Sequence, residues 1–235
     1  MFGGLFYQLF LTTLSHPELP CDNNPKLRGC KNPYFNQLQL AQQWPVTECL
    51  MWKKIRKTNS CNMPKNTSIF TIHGLWPSNT HGAHPEYCDS DLKFSRRILA
   101  PIINDMKERW TDIHANINET SFWNYEWKKH GTCAQTLASL NGVFKYFRKG
   151  LQLHRQYDIF AALKKRNIIP GGSFDLKAIY DAIFHEFRAH PIITLKYISK
   201  FGYFLHEIRL CFDKSLRIEN CTKPMNDNLN VKFPK

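Results

Sequence analysis

Apolar and polar residues alternate with a period of two in three segments, a pattern typical of β-strands with one buried face. The segments are residues 35–44, 69–74 and 204–212. In the second segment the alternation puts Phe70 and Ile72 on one face and His73 on the other. The third segment is mostly apolar at every second position, and we interpret it as a central strand near the end of the chain.

Apolar residues recur at helical spacing in three segments between these strands, namely residues 92–108, 141–154 and 175–188. Pro101 interrupts the first segment, which is therefore expected to form a kinked helix or two helices. Pro191 follows the third segment and is expected to end it. Strands before and after the helices predict an α+β domain, and no linker divides the chain into two domains.

The charge balance favours acidic partners. The chain has 32 Lys and Arg residues against 19 Asp and Glu residues, which gives a formal net charge of +13. Such a charge fits nucleic acid, an anionic membrane face or an acidic glycan, and it also fits a surface that only keeps the protein soluble. The cations are scattered in short clusters, so the charge alone does not locate a binding site.

The eight cysteines favour four disulfide bonds and an oxidising compartment. No Cys-x-x-Cys pair occurs and the spacings do not suit zinc, so we predict no metal site. Sequons at Asn66 and Asn118 agree with secretion and are predicted glycosylation sites. The cysteines are Cys21, Cys30, Cys49, Cys61, Cys88, Cys133, Cys211 and Cys221.

The beginning of the chain contains an apolar run from residue 5 to residue 14. The run lacks a basic flank and is too short to span a bilayer, so we interpret it as a degraded or truncated signal peptide and predict no membrane span. Residues 1–34 are therefore assigned to an N-terminal extension and residues 35–235 to the folded domain.

The segment of residues 122–133 brings an acid, a base and an imidazole into one helical turn. If the segment is helical, Glu126, Lys129 and His130 share one face because they are spaced three and four residues apart. Taken alone, these three residues are better explained by a solvated helix face. The glycine and the cysteine that follow favour a functional interpretation, since both fix the segment rigidly, as catalysis requires.

A second histidine, His73, lies in a strand segment and is followed by Gly74 and Trp76. A lone histidine on a strand is more often structural than catalytic, and Trp76 is equally explained by core packing or by stacking against a nucleobase. Gly74, however, allows a ligand or another part of the backbone to approach closely. Two imidazoles, a carboxylate and an ammonium can together move a proton between oxygens while charge builds on a phosphate. An RNA-cleaving enzyme is therefore the leading hypothesis.

These two segments resemble the two active-site signatures of the ribonuclease T2 family. The first reads Phe-Thr-Ile-His-Gly-Leu-Trp-Pro from residue 70, and the second reads Phe-Trp-Asn-Tyr-Glu-Trp-Lys-Lys-His-Gly-Thr-Cys from residue 122. Further similarity around Trp44, Cys88 and Cys211 extends the resemblance over residues 35–224. The resemblance implies an α+β fold with a central, mostly antiparallel sheet, flanking helices and disulfide bonds. It also implies that the protein requires no metal and no cofactor.

The resemblance implies a role for each motif residue. His73 would be the general acid that protonates the leaving 5′-oxygen, and His130 would be the general base that takes the proton from the ribose 2′-hydroxyl. Glu126 and Lys129 would stabilise the phosphorane-like transition state or tune the histidines. The first product would be a 2′,3′-cyclic phosphate, so RNA is cleaved and DNA is not. The implied substrate-binding residues are Gln43, Trp76, Phe122 and Tyr125.

The chain departs from the family's pattern at two motif positions. Tyr125 stands where many members have a third histidine credited with phosphate binding, so lower turnover is expected. Ser78 stands where an aspartate is common, which leaves the base preference open. By resemblance the cysteines pair as Cys49–Cys61, Cys88–Cys133 and Cys211–Cys221, which leaves Cys21 and Cys30 for each other.

Within the family, the basic charge, the two-histidine site and the sequon before Phe70 resemble the self-incompatibility ribonucleases of plant styles. That subgroup implies a secreted, monomeric enzyme that degrades RNA in pollen tubes and is recognised by an F-box-type pollen protein. Residues 81–97 would then lie near the hypervariable surface that carries allelic identity. The alternatives are a general secreted or vacuolar nuclease for scavenging or defence, and a catalytically silent RNA-binding or recognition homologue. A cationic membrane-active or glycan-binding defence protein fits the charge but leaves both motifs unexplained.

Overall fold

The alternating segments of the sequence form strands of one sheet. The computed structural model describes residues 33–115, 118–221 and 228–235, and within these ranges it contains seven strands and six α-helices. The strands are β1 Gln37–Gln43, β2 Thr71–Ser78, β3 Ser173–Asp175, β4 Ile192–Ile198, β5 Gly202–Phe212, β6 Ile218–Glu219 and β7 Asn230–Lys232. The α-helices are α1 Pro45–Ile55, α2 Ile103–Arg109, α3 Glu119–Lys129, α4 Val143–Gln156, α5 Ile159–Lys164 and α6 Leu176–Phe187.

The strand β5 is central in the sheet, as its alternating sequence predicts. It pairs antiparallel with β1 along one edge and with β4 and β6 along the other, and β7 runs parallel to it. The strand β2 pairs antiparallel with β1 and forms the outer strand on that side. The predicted α+β fold, with a mostly antiparallel sheet and flanking helices, is therefore confirmed.

One hydrophobic core joins the sheet to the helices. The helix α4 enters this core through Val143, Phe147 and Leu151, and α6 enters it through Ile179 and Ile183. These are the apolar positions whose helical spacing predicts the two helices. The helices therefore form where the sequence pattern places them.

Pro101 divides the first predicted helical segment in two, as expected. It lies inside a 3₁₀ helix at Arg96–Ile102, and α2 follows directly. Periodicity does not predict α1, because this helix buries only Pro45 and Thr47 and has no continuous apolar stripe. Nor does it predict β4, which is half-buried along nearly its whole length and so shows no alternation.

The strand β2 carries a β-bulge at His73. The register of β1 against β2 shifts between Ala41 and Gln42, so His73 is an extra residue without a partner in β1. A bulge re-aims the side chains around it and is common beside active sites. Its effect here is that Ile72 and Leu75, three residues apart, both pack in the core. The strict alternation expected for this segment therefore ends at the bulge.

Three disulfide bonds tie loops of the described residues to the helices and the sheet. They join Cys49 to Cys61, Cys88 to Cys133 and Cys211 to Cys221, so the pairings expected from the resemblance are confirmed. The predicted pair of Cys21 and Cys30, like the apolar run of residues 5–14, lies outside the described residues. No helix in the described ranges is long and apolar enough to cross a bilayer.

Candidate active site

His73 and Trp76 lie on the same side of the sheet because of the bulge in β2. In a regular strand, residues three apart face opposite sides. Here the imidazole and the indole meet edge to face with ring centroids 5.0 Å apart, and both side chains are partly exposed. Pro77 is tolerated next to Trp76 because β2 is an outer strand and, among the described residues, pairs with β1 alone.

The helix α3 presents the second motif on a rigid support. Asn118 caps the start of the helix by accepting a hydrogen bond of 2.8 Å from a backbone N–H in the first turn. The indoles of Trp123 and Trp127 are buried and donate hydrogen bonds to the backbone carbonyls of Trp110 and Leu92, respectively. Trp123 and Trp127 therefore anchor the motif to the core.

His130 ends α3. Its backbone N–H closes the last helical turn with a hydrogen bond of 3.0 Å, and the residue is 9% exposed. The next residue, Gly131, lies so close to the Trp127 ring that a Cβ would approach it within 2.4 Å. The disulfide between Cys88 and Cys133 then fixes the turn that follows. The glycine and the cysteine thus make this end of the helix rigid, as the sequence predicts.

Trp76 contacts both histidines at the centre of the site. Its ring centroid lies 5.0 Å from that of His73 and 5.3 Å from that of His130, so the two imidazoles lie within about 10 Å of each other. Its Nε1 donates a hydrogen bond of 2.9 Å to the Glu126 carboxylate. The structure therefore brings His73, Glu126 and His130 together around one indole.

Lys129 lies at the rim of the site. Its ammonium donates a hydrogen bond of 3.1 Å to the Tyr125 hydroxyl and lies 3.2 Å from the Glu86 carboxylate. Burial lowers the pKa of Lys129, but these two partners outweigh burial and raise the pKa above its ordinary value. Tyr125, at the position of the missing third histidine, is 46% exposed beside this permanent positive charge.

Two charged residues of β5 join the site, although neither signature contains them. Glu207 is 2% exposed, and its Oε2 lies 2.6 Å from Nδ1 of His73. Its Oε1 accepts a hydrogen bond of 2.7 Å from Nε of Arg209, whose guanidinium carbon lies 4.8 Å from the centre of the Trp76 ring. The alternation in β5 indicates that both side chains point away from the core. No local signal in the sequence indicates that they meet His73.

The two imidazoles have opposite charge preferences. Burial lowers the pKa of His73, but its side chain is 36% exposed, and the hydrogen bond and charge of Glu207 raise the pKa above its ordinary value. Two further glutamates add smaller contributions in the same direction. Burial, together with the nearby cation of Lys129, lowers the pKa of His130 to about 2. In mildly acidic solution His73 is therefore the protonated ring and His130 the neutral one.

The two buried carboxyl groups of the site also differ. Burial raises the pKa of Glu126 to about 7, and the charge of His73 and the hydrogen bond from Trp76 offset burial only in part. Burial would also raise the pKa of Glu207, but His73 and Arg209 lower it to about 2. The site therefore holds one carboxylate that stays ionised and one carboxyl group that titrates near neutrality.

A cavity of about 230 Å³ opens beside His73. Its wall includes Gln43, Glu48, Asp112, His114 and Phe122. The ring of Phe122 stacks towards His73, with an angle of 28° between the planes and 6.3 Å between the centroids. Glu48 accepts hydrogen bonds from His114 and His206, so its charge is paired. Two of the predicted base-binding residues, Gln43 and Phe122, thus line one cavity next to a histidine of the site.

The remaining predicted positions lie around the site or on the surface. Ser78 is 2% exposed, and its hydroxyl donates a hydrogen bond of 3.1 Å to the backbone carbonyl of Trp76. Asn66 and Asn118 are exposed, and their glycosylation stays a prediction. In the part of the chain that the structure describes, no three His, Cys, Asp or Glu side chains converge to hold a metal ion.

The described domain is similar to one family of known proteins. The sequence model of the ribonuclease T2 family matches residues 35–221. The chain is 31% identical to Ribonuclease Oy of Magallana gigas over 194 residues, which are 80% of this chain and 88% of that protein. It is 30% identical to a ribonuclease-like storage protein of Panax ginseng over 197 residues, 83% of this chain and 79% of that protein.

A solved structure supports the same relationship. The crystal structure of human RNase T2 matches with a TM-score of 0.73 and 29% sequence identity, covering 85% of this chain and 98% of that chain. The similarity spans the strands that carry His73 and Glu207 and the helix that carries Glu126 and His130. The chain therefore belongs to the ribonuclease T2 family of endoribonucleases.

Proposed function

We propose that this protein cleaves single-stranded RNA by transesterification, with His130 as the general base and His73 as the general acid. The observation that carries the proposal is the opposite pKa shift of two imidazoles that both contact Trp76. A neutral ring accepts the proton of a ribose 2′-hydroxyl, and a protonated ring donates one to a leaving oxygen. The reaction needs both rings at once, in these two states.

The proton transfers balance over one cleavage event. His130 takes the proton of the 2′-hydroxyl as that oxygen attacks the phosphorus, and the bond from phosphorus to the 5′-oxygen breaks as His73 protonates that oxygen. The products are a 2′,3′-cyclic phosphate and a free 5′-hydroxyl. The ammonium of Lys129 and the carboxyl group of Glu126 meet the charge that builds on the phosphate. DNA lacks the attacking oxygen and is not cleaved.

The cavity beside His73 supports a place for the nucleobase on the leaving side. Because His73 protonates the 5′-oxygen, the nucleoside attached to that oxygen lies on the His73 side of the phosphate. Phe122 offers a ring for stacking there, and Gln43 offers an amide for hydrogen bonds to a base edge. Trp76 and Tyr125, which lie beside His130 and Lys129, are assigned to substrate contacts on the side of the attacking ribose.

The direct test is a cleavage assay on total RNA and on matched single-stranded DNA, with EDTA present. We expect cleavage of RNA alone, favoured at acid pH, with cyclic phosphate ends detected by mass spectrometry. His130→Ala should lower the rate by about a hundredfold or more. His185→Ala, at an exposed position of α6, is the matched control and should cleave like the wild type. Near-wild-type cleavage by His130→Ala would refute the role assigned to His130.

A catalytically silent RNA-binding or recognition protein is the second candidate. Tyr125 in place of a third histidine favours it, as does the similarity to a relative that is named a storage protein. The same assay separates the two candidates, because a silent homologue retards RNA in a native gel but leaves its length unchanged. Retention of both histidines, the glutamate and the lysine supports the enzyme.

We further propose that the protein is a secreted, monomeric enzyme of the plant style that acts in self-incompatibility. Disulfide bonds, exposed sequon asparagines and a net charge of +13 support secretion and an RNA substrate. Style-restricted expression and binding of an F-box-type pollen protein would support this role. Expression in root or leaf would instead support a general secreted or vacuolar nuclease, and size-exclusion chromatography tests the monomer.

A further inference from the structure

Glu207 is a buried carboxylate that contacts a histidine of the site from outside both sequence signatures. It lies within the sheet, opposite Gln43 of β1 on one side and Thr194 of β4 on the other. Because neighbouring strands flank it on both sides, its backbone cannot move without disturbing the ladder. The strand β5 thus holds a carboxylate in a fixed position beside the bulge that carries His73.

Each oxygen of this carboxylate has its own donor. Oε2 lies 2.6 Å from Nδ1 of His73, and Oε1 accepts a hydrogen bond of 2.7 Å from Nε of Arg209. The two cationic partners hold the pKa of Glu207 at about 2 despite its burial, so the group is an anion wherever RNA cleavage is measured. A buried anion with both oxygens paired is rigid as well as charged.

We propose that Glu207 is a positioning residue for His73. Its carboxylate accepts the hydrogen bond from the Nδ1 proton of His73 and leaves Nε2 of His73 to deliver the catalytic proton. The inference rests on the proposed function and deepens it, because it names the group that makes His73 the acid. In the described residues no hydrogen bond reaches Nε2 of His73. The ring therefore has one nitrogen held by the sheet and the other available to a substrate oxygen.

Charged and titratable groups face His73 from several elements. They are Glu48 of α1, Asp112 after α2, Glu126 of α3, His130 at the end of α3, and Glu207 with its partner Arg209 of β5. Glu126 and Glu48 favour the protonated ring through their charge alone, whereas Glu207 acts through both its charge and a hydrogen bond. Removal of the Glu207 charge should therefore lower the pKa of His73 more than removal of either other glutamate.

The variant Glu207→Gln tests the proposal, since it keeps the size and an acceptor oxygen but removes the charge. In the pH dependence of kcat/KM for a dinucleoside monophosphate, the alkaline limb reports the proton of His73. We expect this limb to move to lower pH by about one unit or more, because the charge partner within hydrogen-bond distance is lost. The rate at the optimum should fall by about tenfold or more. An alkaline limb that stays in place in the folded variant would overturn the proposal.

Two further variants control for general effects. Glu207→Asp keeps the charge and should hold the alkaline limb closer to that of the wild type than Glu207→Gln does. Glu186→Gln makes the same substitution at an exposed glutamate that is paired with Lys165, and it should leave the profile unchanged. Equal shifts in Glu207→Gln and Glu207→Asp would indicate that packing, and not charge, links Glu207 to His73, and would overturn the proposal.

Nitrogen NMR of the imidazoles in the wild-type protein separates this inference from the proposed function. Above the pKa of His73, the spectrum reports which ring nitrogen carries the single proton, with no substrate present. We expect the proton on Nδ1, facing Glu207. A proton on Nε2 would overturn the inference even if the Glu207 variants fail to fold. A proton on Nδ1 in a protein that leaves RNA intact would support the pairing and overturn the proposed function alone.

Discussion

Gly74 leaves open the space through which Trp76 reaches its carboxylate partner. A Cβ at position 74 would lie 1.9 Å from Nε1 of the indole and 2.3 Å from the Glu126 carboxylate, the two groups that share a hydrogen bond. The requirement for glycine here is one of space and not of backbone conformation. Gly74, which lies between His73 and Trp76 in β2, thus allows the Trp76 indole to connect β2 with Glu126 of α3.

We expect Gly74→Ala to displace the indole and to misplace the two histidines that contact it. Because a misplacement of about 1 Å can cost about a hundredfold in rate, kcat/KM for a dinucleoside monophosphate should fall by about that factor. Equal values for Gly74→Ala and the wild type would show that the close contact is not needed.

A second glycine supplies the matched control. A Cβ on Gly172 would lie 2.6 Å from the ring of Phe174, outside the site, so Gly172→Ala also creates a clash. We expect that variant to lower the thermal unfolding midpoint while kcat/KM of the folded protein stays unchanged. The comparison separates loss of activity from loss of stability.

The sequence predicts much of the fold and of the site because the relevant residues are close in the chain. Glu126 and His130 are one helical turn apart, and the motif is anchored by the tryptophan that the helical spacing places beside them. The alternation of residues 204–212 predicts the central strand, whose apolar positions Ile208, Leu210 and Phe212 are all buried.

The contribution of β5 to the site could not be predicted in the same way. The alternation indicates that Glu207 points away from the core, but the register of β1, β2 and β5 decides that it meets His73. Register depends on strands that are more than a hundred residues apart, and a single sequence does not state it. The bulge at His73 also escapes prediction, since it exists only in the pairing of β2 with β1, and a single sequence does not state that register either.

The titration of Glu126 predicts a pH-dependent effect of its substitution. Burial raises the pKa of Glu126 to about 7, so the group is mostly neutral at about pH 5 and mostly ionised at about pH 8. Glu126→Gln imitates the neutral form. Its kcat/KM should therefore be close to the wild-type value at the lower pH and fall below it at the higher pH. The physical reason is that the ionised carboxylate helps to retain the proton on His73.

The measurement is the ratio of variant to wild-type kcat/KM across the pH range. For the wild-type protein, kcat/KM plotted against pH should be a broad bell. Activity needs His130 neutral and His73 protonated, and the pKa of His130 is lowered while that of His73 is raised. The fall in the ratio should be centred near pH 7, the pKa of Glu126. A ratio that is the same at every pH would contradict the prediction that Glu126 changes from neutral to ionised across this range.

The disulfide bond between Cys88 and Cys133 is predicted to support activity as well as stability. It closes a segment of 45 residues, and its loss in the double serine variant should lower the free energy of unfolding by about 4 kcal/mol. Cys133 follows His130 by three residues, and the loop at Cys88 places Glu86 beside Lys129. We therefore expect kcat/KM of the folded variant to fall as well.

The bond between Cys49 and Cys61 provides the comparison for that prediction. It closes only 12 residues, so its removal should cost about 3 kcal/mol by the same chain-entropy argument. Denaturant unfolding measures both losses, and activity is measured well below the unfolding transition. Full activity in the folded variant without the Cys88–Cys133 bond would show that the site does not depend on it.

The cavity beside His73 predicts that Phe122 contributes to binding through the leaving nucleobase. Stacking on an aromatic ring is worth about 1–3 kcal/mol per base, so Phe122→Ala should raise KM for a dinucleoside monophosphate by about 5- to 150-fold. Gln43→Ala should change the ranking of the four leaving bases, because its amide lies in the same wall and can bond to a base edge.

A substrate without a leaving base separates stacking from a structural effect. In a uridine 3′-phosphate methyl ester the leaving group is methanol, so the cavity stays empty while the proton transfers are the same. If Phe122 acts by stacking, Phe122→Ala and the wild type should cleave this ester at equal rates. An equal loss on the ester and on the dinucleoside would mean that the ring, which stacks towards His73 at 6.3 Å, acts by holding the histidine in place.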